Sequence, residues 1–200
     1  MRRTILPIAL LLSAVAWTDP AQAFDGSRKG FTLEIGLGGG FQSASQEHSF
    51  LNETEEVDAS GPAFVTNVKI GYGFNEQLIV AWTDNLGISS GESILTNKDE
   101  SLALSVGGIG LTYFFNADGP SPFIDVTIGV SAWDDGNDDN RMSGMGISVG
   151  GGYEFKPNWA AGVDLGWGNP SHDVSLFSEK ISEVSSTNIS VGLHVSHLWY

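Results

Sequence analysis

An acidic stretch at positions 134–140 carries a dense set of potential metal-ligand oxygens. Its sequence, DDGNDDN, places four aspartates and two asparagines within seven positions. Carboxylate and amide oxygens are the ligands that hard divalent cations prefer. Because the spacing does not match an EF-hand loop, the stretch is either a solvated acidic loop tip or a weak site for Ca²⁺ or Mg²⁺. The metal hypothesis rests on Asp134, Asp135, Asp138 and Asp139.

A second set of charged residues lies inside segments that are otherwise built of apolar and small residues. The set consists of Glu34, Lys69, Asp125, Glu154 and Asp164. Glu154, for example, stands between Tyr153 and Phe155. In a β-strand successive side chains point to opposite faces, so a strand would turn these charges away from the neighbouring apolar side chains.

Two histidine–serine pairs are the candidates for nucleophilic catalysis, namely His194 with Ser196 and His172 with Ser175. A serine nucleophile needs a base within hydrogen-bonding reach and an acid that orients the base. No acid is obviously placed to complete a triad with either pair. Catalysis is therefore the weakest of the three hypotheses.

The elements that must position these residues show a strong period of two. Large apolar side chains alternate with small or polar ones in eight segments of roughly ten residues. The segments are Phe31–Phe41, Phe64–Phe74, Leu78–Trp82, Leu102–Phe115, Ile124–Val130, Met145–Phe155, Trp159–Trp167 and Ile189–Val195. The alternation slips within the fourth segment at Gly107 and Gly108, which predicts a β-bulge there.

The connections between these segments alternate in length. Short turns are expected at 75–77, 117–122 and 156–158, and long polar loops near 43–62, 84–101, 134–143 and 169–186. Aromatic residues gather at the short-turn end: Phe31, Tyr72, Phe74, Tyr113, Phe115, Tyr153, Phe155, Trp159, Trp199 and Tyr200. A second group, Phe41, Phe64, Trp133 and Trp167, falls near the long loops. Two such belts are typical of proteins that meet two membrane interfaces.

The N-terminus predicts a secretory signal peptide over residues 1–23. Arg2 and Arg3 precede a short apolar run, and Ala21-Gln22-Ala23 offers a cleavage site between Ala23 and Phe24. The chain has no cysteine and a formal net charge of −15. A chain this acidic repels nucleic acid and attracts cations, so no nucleic-acid partner is expected.

These patterns predict an all-β fold, an eight-stranded antiparallel up-and-down transmembrane β-barrel over residues 24–200. An exported β-sandwich would also alternate, but it needs neither aromatic belts nor alternating loop lengths. Since side chains fill the lumen of an eight-stranded barrel, the five charges would form a lumen charge network. Either Lys69 bridges acids such as Glu34 or Glu154, or unpaired acids line a narrow path that prefers cations.

Three stretches carry a resemblance to a known group of proteins: GYGFNEQL, VGGGYEFKPNWAAGVDLGW and the aromatic C-terminal NISVGLHVSHLWY. With them, the mature chain resembles the small eight-stranded outer-membrane barrels of the outer membrane protein A, X and W type. The resemblance implies the cell outer membrane of a Gram-negative bacterium. It also implies as partners the outer-membrane lipids, lipopolysaccharide, the barrel-assembly machinery and an extracellular ligand. In the last segment His194 and His197 have opposite parity, and the sequence leaves open which of them faces the lumen.

The favoured function is a non-enzymatic barrel with a structural or surface-interaction role through acidic extracellular loops. The alternative is a narrow, porin-like pore for small cationic or apolar solutes. A lipid A-modifying enzyme is a remote alternative. Some barrels of this size are lipid A deacylases with a His-x-Ser-Asn signature, and neither histidine–serine pair here is followed by asparagine. Apart from loosely bound Ca²⁺ or Mg²⁺, no cofactor is expected.

Overall fold

A computed structural model describes residues 27–50, 53–93, 98–134, 142–176 and 179–200. The signal peptide predicted over residues 1–23, with its cleavage site between Ala23 and Phe24, lies outside the described residues. Within the described ranges, no helix is long and apolar enough to cross a membrane.

Eight β-strands form in the described part of the chain, as the eight alternating segments predict. They are β1 Gly30–Phe50, β2 Glu53–Gly73, β3 Leu78–Ser93, β4 Lys98–Phe114, β5 Ser121–Asp134, β6 Met142–Lys156, β7 Trp159–Leu176 and β8 Glu179–Trp199. Each strand pairs antiparallel with the next, and β1 pairs with β8. The sheet is therefore a closed barrel, which confirms the predicted fold class. Closure pairs the backbone groups that an open sheet edge would leave exposed.

The outward face of the barrel is apolar. Ile109 is 61% exposed and Met145 is 74% exposed. Large apolar side chains cover the rest of this face, among them Leu37, Ile70, Ile128, Val149, Leu165 and Leu193. A soluble monomer does not expose a continuous apolar surface of this extent, whereas a transmembrane barrel presents one to the lipid chains.

The barrel has two different ends. At the short-turn end, residues 74–77, 115–120 and 157–158 connect the strands, while at the opposite, extended end the strands run on. Exposed aromatic side chains ring the short-turn end: Phe31, Tyr72, Phe74, Tyr113, Phe115, Tyr153, Phe155 and Trp159. Phe41, Phe64 and Trp167 face outward nearer the extended end. Trp133 was wrongly assigned to this second belt, because its side chain is buried in the lumen.

The predicted β-bulge at Gly107 and Gly108 is wrong. The register of β3 and β4 runs without a shift through Asp84↔Gly107 and Thr83↔Gly108. Leu102, Leu104 and Val106 instead point into the lumen, while Ile109, Leu111 and Tyr113 point outward. The apolar pattern changes face because apolar side chains fill the lumen near the extended end, so no extra residue is needed.

Three of the predicted long loops, 43–62, 84–101 and 169–186, are mostly sheet, whereas most of the fourth, 134–143, lies outside the described residues. The ladder between β1 and β2 continues to the pair Phe50↔Glu53, and the ladder between β7 and β8 continues to Leu176↔Glu179. Strands β1, β2 and β8 each have 21 residues. The change to polar residues in the sequence shows where the strands leave the apolar, lipid-facing part of the barrel. It does not show where the backbone pairing between strands ends.

Candidate functional site

Five charged or titratable side chains meet inside the barrel and form what is here named the charge layer: Glu34, Lys69, Asp125, Asp164 and His194. All five are buried. The Lys69 Nζ atom lies 3.3 Å from Glu34 Oε2 and 3.6 Å from Asp125 Oδ2. Lys69 therefore pairs with Glu34, one of the two acids that the sequence offered as its partner. The other, Glu154, lies at the short-turn end of the barrel.

The strand register explains why these side chains meet. Glu34 is directly opposite Lys69 across the β1–β2 ladder. Asp125, Gly150 and Asp164 form one row across β5, β6 and β7. Gly150 leaves room for these side chains, because a β-carbon there would collide with Asp164 Oδ1 and lie 3.0 Å from both oxygens of Asp125. The two carboxylates converge over the space that Gly150 leaves free.

The face of the two C-terminal histidines is now settled. His194 points into the lumen, where its Nδ1 atom lies 2.9 Å from Asp164 Oδ2. Its ring sits against Gly36 and Gly162, since a β-carbon at either position would lie about 3 Å from it. His197 points outward between two tryptophans, with ring centroids 4.8 Å from Trp159 and 4.3 Å from Trp199.

Arg28 closes the short-turn end of the lumen. Its guanidinium donates to four carbonyl oxygens in the short turns, those of Glu76 (3.1 Å), Asn116 (3.0 Å), Ala117 (3.2 Å) and Gly119 (2.7 Å). It also pairs with the Glu154 carboxylate and stacks 4.2 Å above the centre of the Phe114 ring. The side chains of Phe123, Leu198 and Tyr200 complete this closure, which is named the arginine plug.

Glu154 is the acid of the arginine plug. Its carboxylate accepts hydrogen bonds from the Tyr200 hydroxyl and from the backbone N–H of Asn158 at 3.1 Å. Burial, together with the hydrogen bond to Glu154 and its negative charge, raises the pKa of Tyr200 to about 12. The Tyr200 hydroxyl therefore stays protonated and remains a donor to Glu154 at neutral pH.

Sequence reasoning missed Arg28. It belongs to the polar segment just before β1, where a charged residue is expected to face solvent, and nothing in that segment marks it as buried. Ser27 reinforces its position, because the Ser27 hydroxyl donates to Glu76 Oε1 at 2.6 Å while the Arg28 N–H donates to Glu76 Oε2 at 3.0 Å. The clue to a buried cation lies instead in β6, because an inward-facing acid such as Glu154 requires a positively charged partner.

Uncharged side chains fill the lumen between the charge layer and the extended end. Asn67 bonds to Asn85, and the Asn85 amide donates to Ser148 Oγ at 3.1 Å. Above them Leu102, Leu104, Trp133 and Met142 pack together. Two small cavities, one beside Glu34 and Lys69 and one beside Asn85 and Asn188, measure about 10 Å³ each. Each has room for about one water molecule.

Comparisons with known proteins agree with this architecture. No protein-family model and no curated protein matches the chain. Among solved structures, it superposes on the outer membrane protein OprG from Pseudomonas aeruginosa with a TM-score of 0.51 and 9% identity, over 88% of this chain and 99% of that one. It superposes on the outer membrane protein AlkL with a TM-score of 0.51 and 13% identity, over 86% of this chain and 92% of that one.

The chain is a small eight-stranded outer-membrane β-barrel. The resemblance seen in the sequence is thus confirmed at the level of the fold. At these identities the likeness shows the fold alone and leaves the specific role open. In barrels of this class the short turns face the periplasm and the longer connections face outward. The arginine plug accordingly lies at the periplasmic end of this outer-membrane barrel.

Of the groups that the catalytic hypothesis requires, the structure places an acid beside His194 but no nucleophile within reach of a base. Asp164 contacts His194, which supplies the acid that the sequence did not place. Ser196 is fully buried, and neither its Oγ atom nor His194 Nε2 makes a hydrogen bond within the described residues. Because a base must reach its nucleophile, these two side chains form no reactive pair here. The side chains of His172 and Ser175 lie outside the described residues.

Of the four aspartates in the metal hypothesis, the structure describes only one. Asp134 is half-buried at the end of β5, and Asp135, Asp138 and Asp139 lie outside the described residues. In the part of the chain that the structure describes, no group of three or more histidine, aspartate or glutamate side chains has a geometry that could hold a metal ion.

Asp84 stands in an unexpected place. The sequence prediction assigns it to a loop at 84–101, but it lies within β3, opposite Val68 on one side and Gly107 on the other. It shares the outward face with Trp82 and Ile88. This outer-membrane barrel therefore carries one carboxyl group on its lipid-facing wall, a position where ionisable residues are rare.

Proposed function

We propose that this barrel is a closed, non-enzymatic outer-membrane protein that acts through the extended end of its sheet, in a structural or surface-interaction role. One observation carries the proposal. Side chains close the lumen at the arginine plug, at the charge layer and at the apolar group around Trp133, while the sheet continues beyond the lipid-facing band. A barrel closed in this way has its working surface outside the lumen.

The extended end is a substantial surface. Beyond the outward aromatic residue Phe41, β1 continues over residues 42–50, which is about 30 Å along a strand. It stays paired with both β2 and β8 over this length. With short turns toward the periplasm, this end projects from the outer leaflet into the extracellular space.

The extended end is acidic. Residues 43–62 contain five acidic residues and no lysine or arginine. Of these acids, Glu47 and Asp58 are exposed on the paired strands β1 and β2. An acidic surface attracts cationic ligands and repels anionic ones. We further propose that divalent ions bridge these carboxylates to the phosphates of lipopolysaccharide in the membrane. The barrel-assembly machinery is the proposed partner for insertion.

A binding assay tests the surface role. The full mature protein in lipid nanodiscs is titrated with fluorescent polylysine, beside the variants Asp58→Asn at the extended end and Asp118→Asn at the short-turn end. Asp58→Asn should weaken binding by up to about fivefold, since one exposed charge pair contributes about 0.2–1 kcal/mol. Asp118→Asn, which removes the same charge from the other end, should leave binding unchanged. Equal affinities for the two variants would overturn the proposed surface.

A narrow cation-preferring pore is the second candidate function. Its support is that both oxygens of Asp125 and both oxygens of Asp164 accept no hydrogen bond within the described residues, although they are buried. Carboxylates of this kind line cation pathways. If the lumen conducts cations, the channel conductance should fall in Asp164→Asn and in Glu154→Gln. If the barrel is closed, there is no conductance for these substitutions to reduce.

A further inference from the structure

The charge layer is not balanced by the cations that surround it. It contains three carboxylates, from Glu34, Asp125 and Asp164, and one ammonium group, from Lys69. Arg28 does not contribute, because its guanidinium is bound to Glu154 and to the turn carbonyls at the short-turn end. With His194 neutral, the layer carries two uncompensated negative charges.

The neighbouring strands supply no further charge. Strands β1, β2, β5, β7 and β8 contribute Glu34, Lys69, Asp125, Asp164 and His194 respectively. The residues that face the layer from β3, β4 and β6 are Thr83, Thr112 and Gly150, all uncharged.

Burying two uncompensated negative charges is unfavourable. Removing an ion from water costs several kcal/mol unless an opposite charge or hydrogen bonds replace the water. His194 accounts for one charge, because its Nδ1 atom lies 2.9 Å from Asp164 Oδ2 and an imidazolium there would pair with that carboxylate. One negative charge remains to be compensated.

The remaining charge is located between Asp125 and Asp164. Their oxygens converge over Gly150, and none of the four accepts a hydrogen bond from the described residues. Two carboxylates in one buried site cannot both ionise easily, and such a pair characteristically shares one proton. A metal ion fits less well, because the described residues offer no group of three suitable ligands. The small cavity of the charge layer, about 10 Å³, lies beside Glu34 and Lys69.

We infer that the charge layer is a proton-binding site in which one proton is shared between Asp125 and Asp164 while His194 is an imidazolium. One carboxyl then donates its O–H to the other carboxylate. The layer has two positive groups, Lys69 and His194, and two negative charges, one on Glu34 and one on the Asp125–Asp164 pair. Two protons taken from water make the buried layer neutral. Without these two protons the layer would carry a net negative charge in a buried position, which is unfavourable.

Infrared spectroscopy of the full mature barrel with ¹³C-carboxyl aspartate tests the site. The spectra are taken in an Asp84→Asn background, because the lipid-facing Asp84 carboxyl would give a protonated-aspartate band of its own. At pH 7 this protein in nanodiscs should show the carbonyl band of a protonated aspartate, and the further substitution Asp125→Asn should abolish it. Asp118→Asn, an exposed carboxyl in a short turn, is the control and should leave the band unchanged. Absence of a protonated aspartate in this background or in the unsubstituted protein would overturn the inference, and the second measurement needs no variant to fold.

A second arm separates a proton from a small metal ion. The spectra are repeated with sodium replaced by N-methylglucamine, a cation too large to enter a cavity of one water molecule. An unchanged band at both salt conditions supports the shared proton. A band that appears only when sodium is removed would mean that a metal ion normally occupies the site, and would overturn the inference. Persistence of the band in both Asp125→Asn and Asp164→Asn would also overturn it.

Discussion

At the scale of single residues, Arg28 organises the short-turn end of the barrel. One guanidinium joins four turn carbonyls, the Glu154 carboxylate and the Phe114 ring. Two separate turns, 74–77 and 115–120, and strand β6 are thereby tied to the segment that precedes β1. The charge of Arg28 and the charge of Glu154 cancel in a buried position, and charge-assisted hydrogen bonds of this kind are stronger than neutral ones.

Tyr200 gives the arginine plug a measurable pH dependence. Its pKa is raised from 10.0 to about 12 in the folded protein, first by burial and then by Glu154. A raised pKa means that the stabilisation is complete below pH 10 and is lost as the pH rises toward 12. We expect the free energy of unfolding to fall more steeply over this interval in the unsubstituted protein than in Tyr200→Phe.

Denaturant unfolding in micelles at a series of pH values checks this expectation. Below pH 10, Tyr200→Phe should be less stable by about 1 kcal/mol, the usual contribution of one hydrogen bond. Above pH 12 the two proteins should converge. Parallel pH profiles for both proteins would show that the Tyr200 hydroxyl does not act in the plug.

For the charged residues of the strands the inward face was predictable, but of their partners only Glu34 for Lys69 was among the sequence alternatives. The alternation of β2 placed Lys69 opposite the apolar face, and the alternation of β6 did the same for Glu154. Their partners depend on register across strands far apart in sequence and on a segment outside the sheet. Lys69 meets Asp125, 56 positions away, and Glu154 meets Arg28, 126 positions away. Local periodicity contains no information about such distances.

At the scale of the strands, glycines in the inner wall allow neighbouring strands to pack closely. Gly108 of β4 is directly opposite Gly129 of β5. A β-carbon on Gly108 would collide with the carbonyl oxygen of Ile128, and one on Gly129 with that of Gly107. Gly39 of β1 differs, because the nearest atom to a β-carbon there is 3.9 Å away.

Replacing these glycines by alanine tests the close packing. Gly108→Ala should lower the free energy of unfolding by about 1–3 kcal/mol, the usual effect of forcing extra atoms into a packed interior. Gly39→Ala, the matched control, should have little effect. The measurement is unfolding in micelles followed by tryptophan fluorescence. Equal stabilities of the two variants would contradict the proposed strand contact.

Strand identity was predictable from alternation, whereas strand length and face were not. The fourth segment looked bulged because apolar residues occupy even positions up to Val106 and odd positions from Ile109. A lumen that is polar near the charge layer and apolar near Trp133 produces the same pattern in a regular strand. The polar ends of β1 and β2 looked like loops because pairing outside the membrane requires no apolar residues.

At the scale of the whole molecule, the barrel combines an apolar wall with a lumen filled in layers. From the short-turn end, the layers are the arginine plug, the charge layer, the asparagine and serine side chains, and the apolar group around Trp133. Such filling matches an eight-stranded barrel, whose interior is just wide enough for side chains. In the proposed surface role, interactions would occur at the extended end.

Planar lipid bilayer recording tests the closed lumen most directly. The full mature barrel is inserted into bilayers, with insertion verified independently, and current is measured over a range of voltages at neutral pH. We predict no stable conductance above that of the bare membrane. A steady ohmic conductance that Asp164→Asn or Glu154→Gln reduces would contradict the closed barrel and establish a cation path through the lumen.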